Sequence, residues 1–117
     1  MKALHTLAIL AAAGAIFAAP YAAAHAVLKE SSPAANSTVA APKEISLLFN
    51  EKVEPAFSSA KLVDAVGKEV ATGKGQVEND RLTLAVPELA PGAYSVQWVG
   101  VGPDGHRRKG QFQFTVK

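Results

Sequence analysis

Cysteine is absent from the chain. No disulfide can staple the fold, so a small domain built from this sequence must draw its stability from apolar burial or from a bound ion. Long basic runs are missing too. The longest is Arg107-Arg108-Lys109, and 12 basic against 10 acidic side chains give a formal charge of +2, which leaves no electrostatic footprint for nucleic acid and no membrane-surface patch. The longest apolar run, residues 7–19, falls short of the roughly 20 residues that a spanning helix needs. From residue 25 onward, internal repeats, low-complexity tracts and helical hydrophobic periodicity do not occur.

What is present begins with an address. Lys2, the Ala-rich apolar run and then Pro20-Tyr21-Ala22-Ala23-Ala24 carry the charge, apolar core and small-residue cleavage pattern of a secretory signal peptide. A retained anchor or a buried amphipathic helix is the alternative. Cleavage after Ala24 is expected, making residues 1–24 a signal peptide and His25 residue one of a mature domain spanning 25–117. That domain has room for one hydrophobic core and excludes a second domain. Lys2 leaves with the signal, bringing the formal charge to +1.

From Glu44 onward the apolar residues fall at every second position: Ile45, Leu47, Phe49; Leu82, Leu84, Val86; Tyr94, Val96, Trp98; Phe112, Phe114, Val116. Period two predicts half-buried strands. Turn dipeptides such as Asn79-Asp80, Pro91-Gly92 and Asp104-Gly105 punctuate them at antiparallel spacing. About seven strands are expected, near Val27, over 45–49 and 60–63, near Val70, and over 82–86, 94–99 and 112–116. This is an all-β, immunoglobulin-like antiparallel sandwich of Greek-key type. Residues 31–42, polar and bounded by prolines, read as a long surface connection. The stretch from Leu89 to Tyr94 looks like a tyrosine corner, a structural role for Tyr94.

The mature domain has two histidines, His25 at its first position and His106 in the turn Pro103-Asp104-Gly105-His106. A histidine at residue one offers its α-amine and Nδ1 to the same ion, closing a six-membered chelate. His106 supplies a third nitrogen and Asp104 an oxygen. Taken alone, Asp104 is a turn former and His106 a solvated turn residue; their pairing with an amino-terminal histidine favours a site. If the first strand lies beside the strand edge before Phe112, three nitrogens and one carboxylate oxygen can meet in a plane, a set that prefers Cu(II). Zinc, which favours a tetrahedron, is the weaker candidate.

Four stretches stand out together: the opening His25-Ala26-Val27-Leu28 with Ser32-Pro33-Ala34 behind it, Leu48-Phe49-Asn50-Glu51-Lys52-Val53, the stretch from Leu89 to Trp98, and Asp104-Gly105-His106 followed by Gly110, Phe112, Phe114 and Val116. On these the chain resembles the CopC family of bacterial periplasmic copper-binding, copper-resistance proteins. The resemblance implies a periplasmic carrier or buffer of one Cu(II), serving copper homeostasis, resistance or import, with His25, Asp104 and His106 as ligands. It also implies a membrane partner of CopD type. The family's acidic residue after the second long strand falls on Glu51, either an axial or orienting group or a solvated strand-end glutamate. The clustered methionines that hold Cu(I) in some members are missing, since Met1 is the one methionine in the chain, so a Cu(II)-only member is expected.

Two alternatives stand beside the carrier. A histidine-brace copper oxygenase shares the amino-terminal histidine, but Asp104 would fill the position that oxygen needs. A metal-free immunoglobulin-like binding module leaves both histidines unexplained. No enzyme activity and no catalytic residue are therefore expected. Nothing specifies pairing of a sheet edge, and a monomer is expected. Arg107-Arg108-Lys109 reads either as a solvated turn or as a docking surface for an acidic partner or phospholipid head groups.

Overall fold

The computed structural model describes residues 26–117, which form two β-sheets packed face to face. The expected signal peptide and His25 lie outside the described residues. Nine strands occur in chain order: β1 (Leu28–Ser32), β2 (Thr38–Val39), β3 (Glu44–Phe49), β4 (Ser59–Asp64), β5 (Glu69–Val70), β6 (Gln76–Glu78), β7 (Arg81–Ala85), β8 (Gly92–Val101) and β9 (Arg107–Val116). One sheet runs β1-β3-β7-β6 and the other β2-β9-β8-β4-β5. The chain changes sheets after β1, β2, β3, β5 and β7, so β3 pairs with β1 and β7 rather than with β2 or β4, while β4 pairs with β8 as well as with its sequence neighbour β5.

The alternating apolar residues account for this layering. Ile45, Leu47 and Phe49 of β3 and Leu82 and Leu84 of β7 are buried from one sheet; Leu62, Val96 and Phe114 are buried from the other. Full burial of each such side chain is worth roughly 1.5–3 kcal/mol. That is how a chain without disulfides holds together. Aromatic packing joins the layers and lines the core: Phe49 meets Trp98 edge-on at 5.4 Å between ring centres, and Tyr94 stacks on Phe114 at 5.8 Å. The Tyr94 hydroxyl donates to the Ala90 carbonyl at 2.7 Å, as a tyrosine corner requires.

The structure corrects four sequence expectations. There are nine strands among the described residues rather than about seven, because β2 and β6 are too short and polar to give a period-two signal. Residues 31–42 are not a bare connection: Ser31 and Ser32 belong to β1, and Thr38 and Val39 pair parallel to Thr115 and Val116, so the sandwich is not wholly antiparallel. Arg107-Arg108-Lys109 is not a turn but the start of β9, in register with Val101, Gly100 and Val99. The first strand does not lie beside β9. It pairs with β3 in the opposite sheet.

This last point decides how a site can form. Strand β3 runs out at Phe49 into Asn50 and Glu51, and the β8–β9 hairpin turns at residues 102–106. The two are drawn together across the sandwich. Gly100 makes the approach possible, since a Cβ there would stand only 3.1 Å from Phe49 Cε1.

Candidate metal site

The β8–β9 loop is shaped by its own sequence. The Gly105 N–H donates to the Gly102 carbonyl at 3.0 Å, and the Gly102 N–H to the His106 carbonyl at 3.3 Å. Gly105 has φ +84°, a left-handed conformation that a side chain disfavours. The reversal at Gly105 returns His106 to Asp104. The Asp104 carboxylate accepts the His106 backbone N–H on Oδ1 at 3.1 Å and faces His106 Nδ1 with Oδ2 at 2.8 Å.

Both side chains face solvent, with 60% of His106 and 42% of Asp104 exposed. The hydrogen bond from the His106 side chain, with the His106 backbone N–H second, holds the Asp104 carboxyl below its ordinary value of 3.8. An imidazole whose Nδ1–H is held by a carboxylate presents Nε2 as its basic nitrogen. The motif is thus a pre-oriented histidine.

Glu51 enters from the facing sheet. Its Oε2 is sealed from solvent and has no hydrogen-bond partner among the described residues. It lies against Gly102, where a Cβ would meet it at 2.7 Å and Asp104 Oδ1 at 3.4 Å. The solvated strand-end glutamate is therefore set aside for Glu51: its carboxylate is turned into the loop. A sealed anionic oxygen without a donor is costly, and a carboxylate in that state suits a cation or a charged donor brought to it.

The start of the described chain comes to the same place. The Val27 N–H donates to Asn50 Oδ1 at 2.7 Å, the Asn50 N–H returns to the Val27 carbonyl at 2.9 Å, and Ala26 is fully buried. The chain is thus anchored beside Asn50, the neighbour of Glu51. Of the four sequence-predicted site residues, Asp104, His106 and Glu51 share one end of the sandwich, and His25 lies outside the described residues. Among the described residues, no three His, Asp or Glu side chains form a set able to hold a metal ion.

Sequence reasoning missed Gly102 and Asn50. Gly102 leaves the space Glu51 fills, and Asn50 fastens Val27. Asn50 and Glu51 could be suspected from standing where β3 ends, whereas nothing local marks Gly102.

Comparison with known proteins places the sequence and the fold in a family. The CopC domain profile matches residues 28–117. Protein YobA of Escherichia coli K12 is 43% identical over 99 residues, covering 80% of each chain. The crystal structure of CopC from Methylosinus trichosporium OB3b superimposes with a TM-score of 0.75 at 40% identity, over 80% of this chain and 94% of that one. PcoC from Escherichia coli, described as a methionine-rich copper resistance protein, superimposes with a TM-score of 0.73 at 37% identity, over 80% of this chain and 99% of that one. Members of this family are copper resistance proteins and not enzymes, which sets the oxygenase aside. On its sequence and its fold together, the chain belongs to the CopC family of copper-binding resistance proteins.

Proposed function

We propose that the protein is a periplasmic carrier and buffer for one Cu(II) ion, exported by the signal at residues 1–24 and working as a monomer from His25 onward. The ion is its cargo. His25 supplies its α-amine and Nδ1, His106 supplies Nε2, and Asp104 supplies a carboxylate oxygen. Oδ1 of Asp104 accepts the His106 N–H, but each carboxylate oxygen has two lone-pair directions, so the loop bond does not exhaust it.

The observation that carries this reading is the meeting of three things at one end of the sandwich: the Asp104–His106 pair, the sealed Glu51 oxygen, and the anchored start of the chain at Ala26 and Val27. Residue 25 is a single peptide link from that anchor, and consecutive Cα atoms stand about 3.8 Å apart. The lack of a sufficient donor set among the described residues fits a site completed by the amino terminus. Glu51 is then a group that orients the terminal ammonium or amine, or a distant axial oxygen.

Nitrogen-rich donors with one carboxylate favour Cu(II) over zinc, as does the Irving–Williams order. Without methionine in the mature chain, no thioether cluster is available for Cu(I). The acceptor is a membrane copper transporter of CopD type. No helix among the described residues is long and apolar enough to cross a membrane, so transport itself falls to the partner.

The test is a Cu(II) titration of protein beginning at His25 against protein that retains Ala24, followed by Trp98 emission and copper EPR. The added alanine converts the α-amine of His25 into an amide and moves the free amine one residue outward, so the six-membered chelate of amine and Nδ1 on one residue can no longer form. Tight one-to-one binding with a tetragonal, nitrogen-rich spectrum in the first and much weaker binding in the second is expected. Equal weak binding in both would overturn the assignment.

A further inference from the structure

We infer that the outer face of the β8–β9 end is a docking surface for an acidic, apolar-tipped segment of a protein that receives the copper; the identity of the cargo rests on the reading above. Arg107, Arg108 and Lys109 emerge directly from the Asp104–His106 loop and are all exposed. None of them forms an ion pair among the described residues, where the one such pair is His106 with Asp104. Two of the chain's three arginines are in this triplet.

The strand register places these charges. Arg107 and Lys109 share the outer face of β9, opposite Val101 and Val99, and Lys61 of β4 stands opposite Gln97 on the same face. An open recess there is lined by Lys61, Gln97, Lys109 and Gln111 among others, and no carboxylate borders it. A second recess, lined by Phe57, Val101, Gly105 and Arg107, adjoins the metal-site loop itself. Phe57 is 67% exposed, one of two large apolar side chains so placed among the described residues.

The nearby acids do not neutralise this surface. Asp104 is held by His106, and the Glu51 oxygen is sealed within the loop. Glu54, whose backbone N–H binds the Val101 carbonyl, makes no ion pair with the triplet. Arg107 beside the exposed Phe57 ring in one recess, with Lys109 and Lys61 in the next one on the same face, calls for carboxylates around an apolar side chain that enters the hollow at Phe57. A headgroup layer offers the charge but no side chain to insert. A bound divalent ion adds positive charge beside the same surface and strengthens the attraction.

The experiment uses the copper-free protein starting at His25 and, as probe, a synthetic peptide with one leucine flanked by aspartates and glutamates, at about 0.15 M salt, where surface charges are screened beyond about 8 Å. Saturable binding is expected, with amide shifts confined to the neighbourhood of Phe57, Lys61 and residues 101–109. The combined substitution Arg107→Gln, Arg108→Gln, Lys109→Gln is expected to weaken it at least tenfold. Lys29→Gln, Lys43→Gln, Lys117→Gln together, which removes equal charge from exposed sites elsewhere, is expected to leave it nearly unchanged.

Equal weakening by the two triple variants would reduce the effect to net charge and overturn the proposal. So would patch-dependent sedimentation with phosphatidylglycerol vesicles in the absence of peptide binding, which assigns the surface to lipid. Loss of Cu(II) affinity in the first triple variant also overturns it, because the triplet then belongs to the metal site. A failed copper titration of the unmodified protein defeats the carrier reading by itself, while the peptide measurement keeps its own outcome.

Discussion

The Glu51 carboxylate occupies the space that a side chain at Gly102 would need, with Oε2 at 2.7 Å from where that Cβ would stand. Gly102 does not have a positive φ, so alanine fits its backbone and a substitution there tests space alone. The obstructing atom is the tip of a flexible side chain. It can swing aside at small cost to folding. Gly102→Ala is therefore expected to lower Cu(II) affinity by roughly tenfold, as loss of a group that orients a ligand does, while shifting the melting temperature of the copper-free protein little. Gly105→Ala is the converse. Nothing lies within 4 Å of its Cβ position, but φ is +84°, so it is expected to cost about 1–2 kcal/mol of stability, read by urea unfolding. A Gly102→Ala variant with unchanged affinity would detach Glu51 from the metal site.

Glu51→Gln probes the same carboxylate by charge rather than by position. In the copper-free form Oε2 is sealed and has no donor among the described residues, a state that costs stability. Removing the negative charge is expected to leave the copper-free protein equally stable or slightly more so. Copper binding is expected to weaken by roughly 10- to 100-fold, so that added Cu(II) raises the melting temperature less than in the parent. Calorimetric melts with and without copper separate the two effects. A variant destabilised in both forms to the same degree would make Glu51 a structural residue.

The Asp104 carboxyl titrates below its ordinary value of 3.8 chiefly because the His106 side chain donates to it. A carboxyl with a depressed folded-state pKa contributes stability above its unfolded pKa and loses it as the pH falls through the folded value. Order in the 102–106 loop is accordingly expected to persist down to pH about 4 and to fade below that. In His106→Phe the ring donor is gone, and the Asp104 titration is expected to move back up toward its ordinary range. A carboxyl-carbon NMR titration of the copper-free protein and the variant reads both. An unmoved Asp104 titration would show that the pair does not persist in solution.

Much of the sandwich was legible because burial repeats every second residue. Ile45, Leu47 and Phe49, or Leu82 and Leu84, sit on one face of a pleated strand, and their spacing records it. Thr38–Val39 and Gln76–Glu78 carry no such record, being two or three residues of mostly polar sequence whose pairing is decided by neighbours distant in the chain. Charge misled at Arg107-Arg108-Lys109, where exposed side chains sit on a strand that still has Val99 to Val101 as its partner. The Asp104-Gly105-His106 motif was visible because three adjacent residues make their own geometry. The contact of Glu51 with Gly102 was not, since it depends on how two sheets meet.

Gly110 shows the same dependence in the core, and here the obstruction is rigid. Its Cβ position lies 2.7 Å from Trp98 Cζ2, 2.9 Å from Cε2 and 3.1 Å from Nε1, with Trp98 directly across the β8–β9 pair. An indole cannot fold away as a carboxylate can, and it is held on another side by Phe49, edge-on at 5.4 Å. Gly110→Ala must therefore displace either the ring or the strand. Overpacking of this kind costs typically about 1–3 kcal/mol, and propensity offsets little of it, because alanine is not a strong strand former. The variant is expected to unfold at lower urea concentration, with a shifted Trp98 emission maximum in the folded state. The disturbance reaches the proposed copper site through Phe49 and Gly100 or along β9, where Gly110 stands four residues from His106, whereas Gly102 touches Glu51 directly, so Cu(II) affinity is expected to fall less than in Gly102→Ala. Unchanged emission and unchanged stability would mean that the strand yields freely at Gly110, and that the glycine is dispensable to the indole's seat.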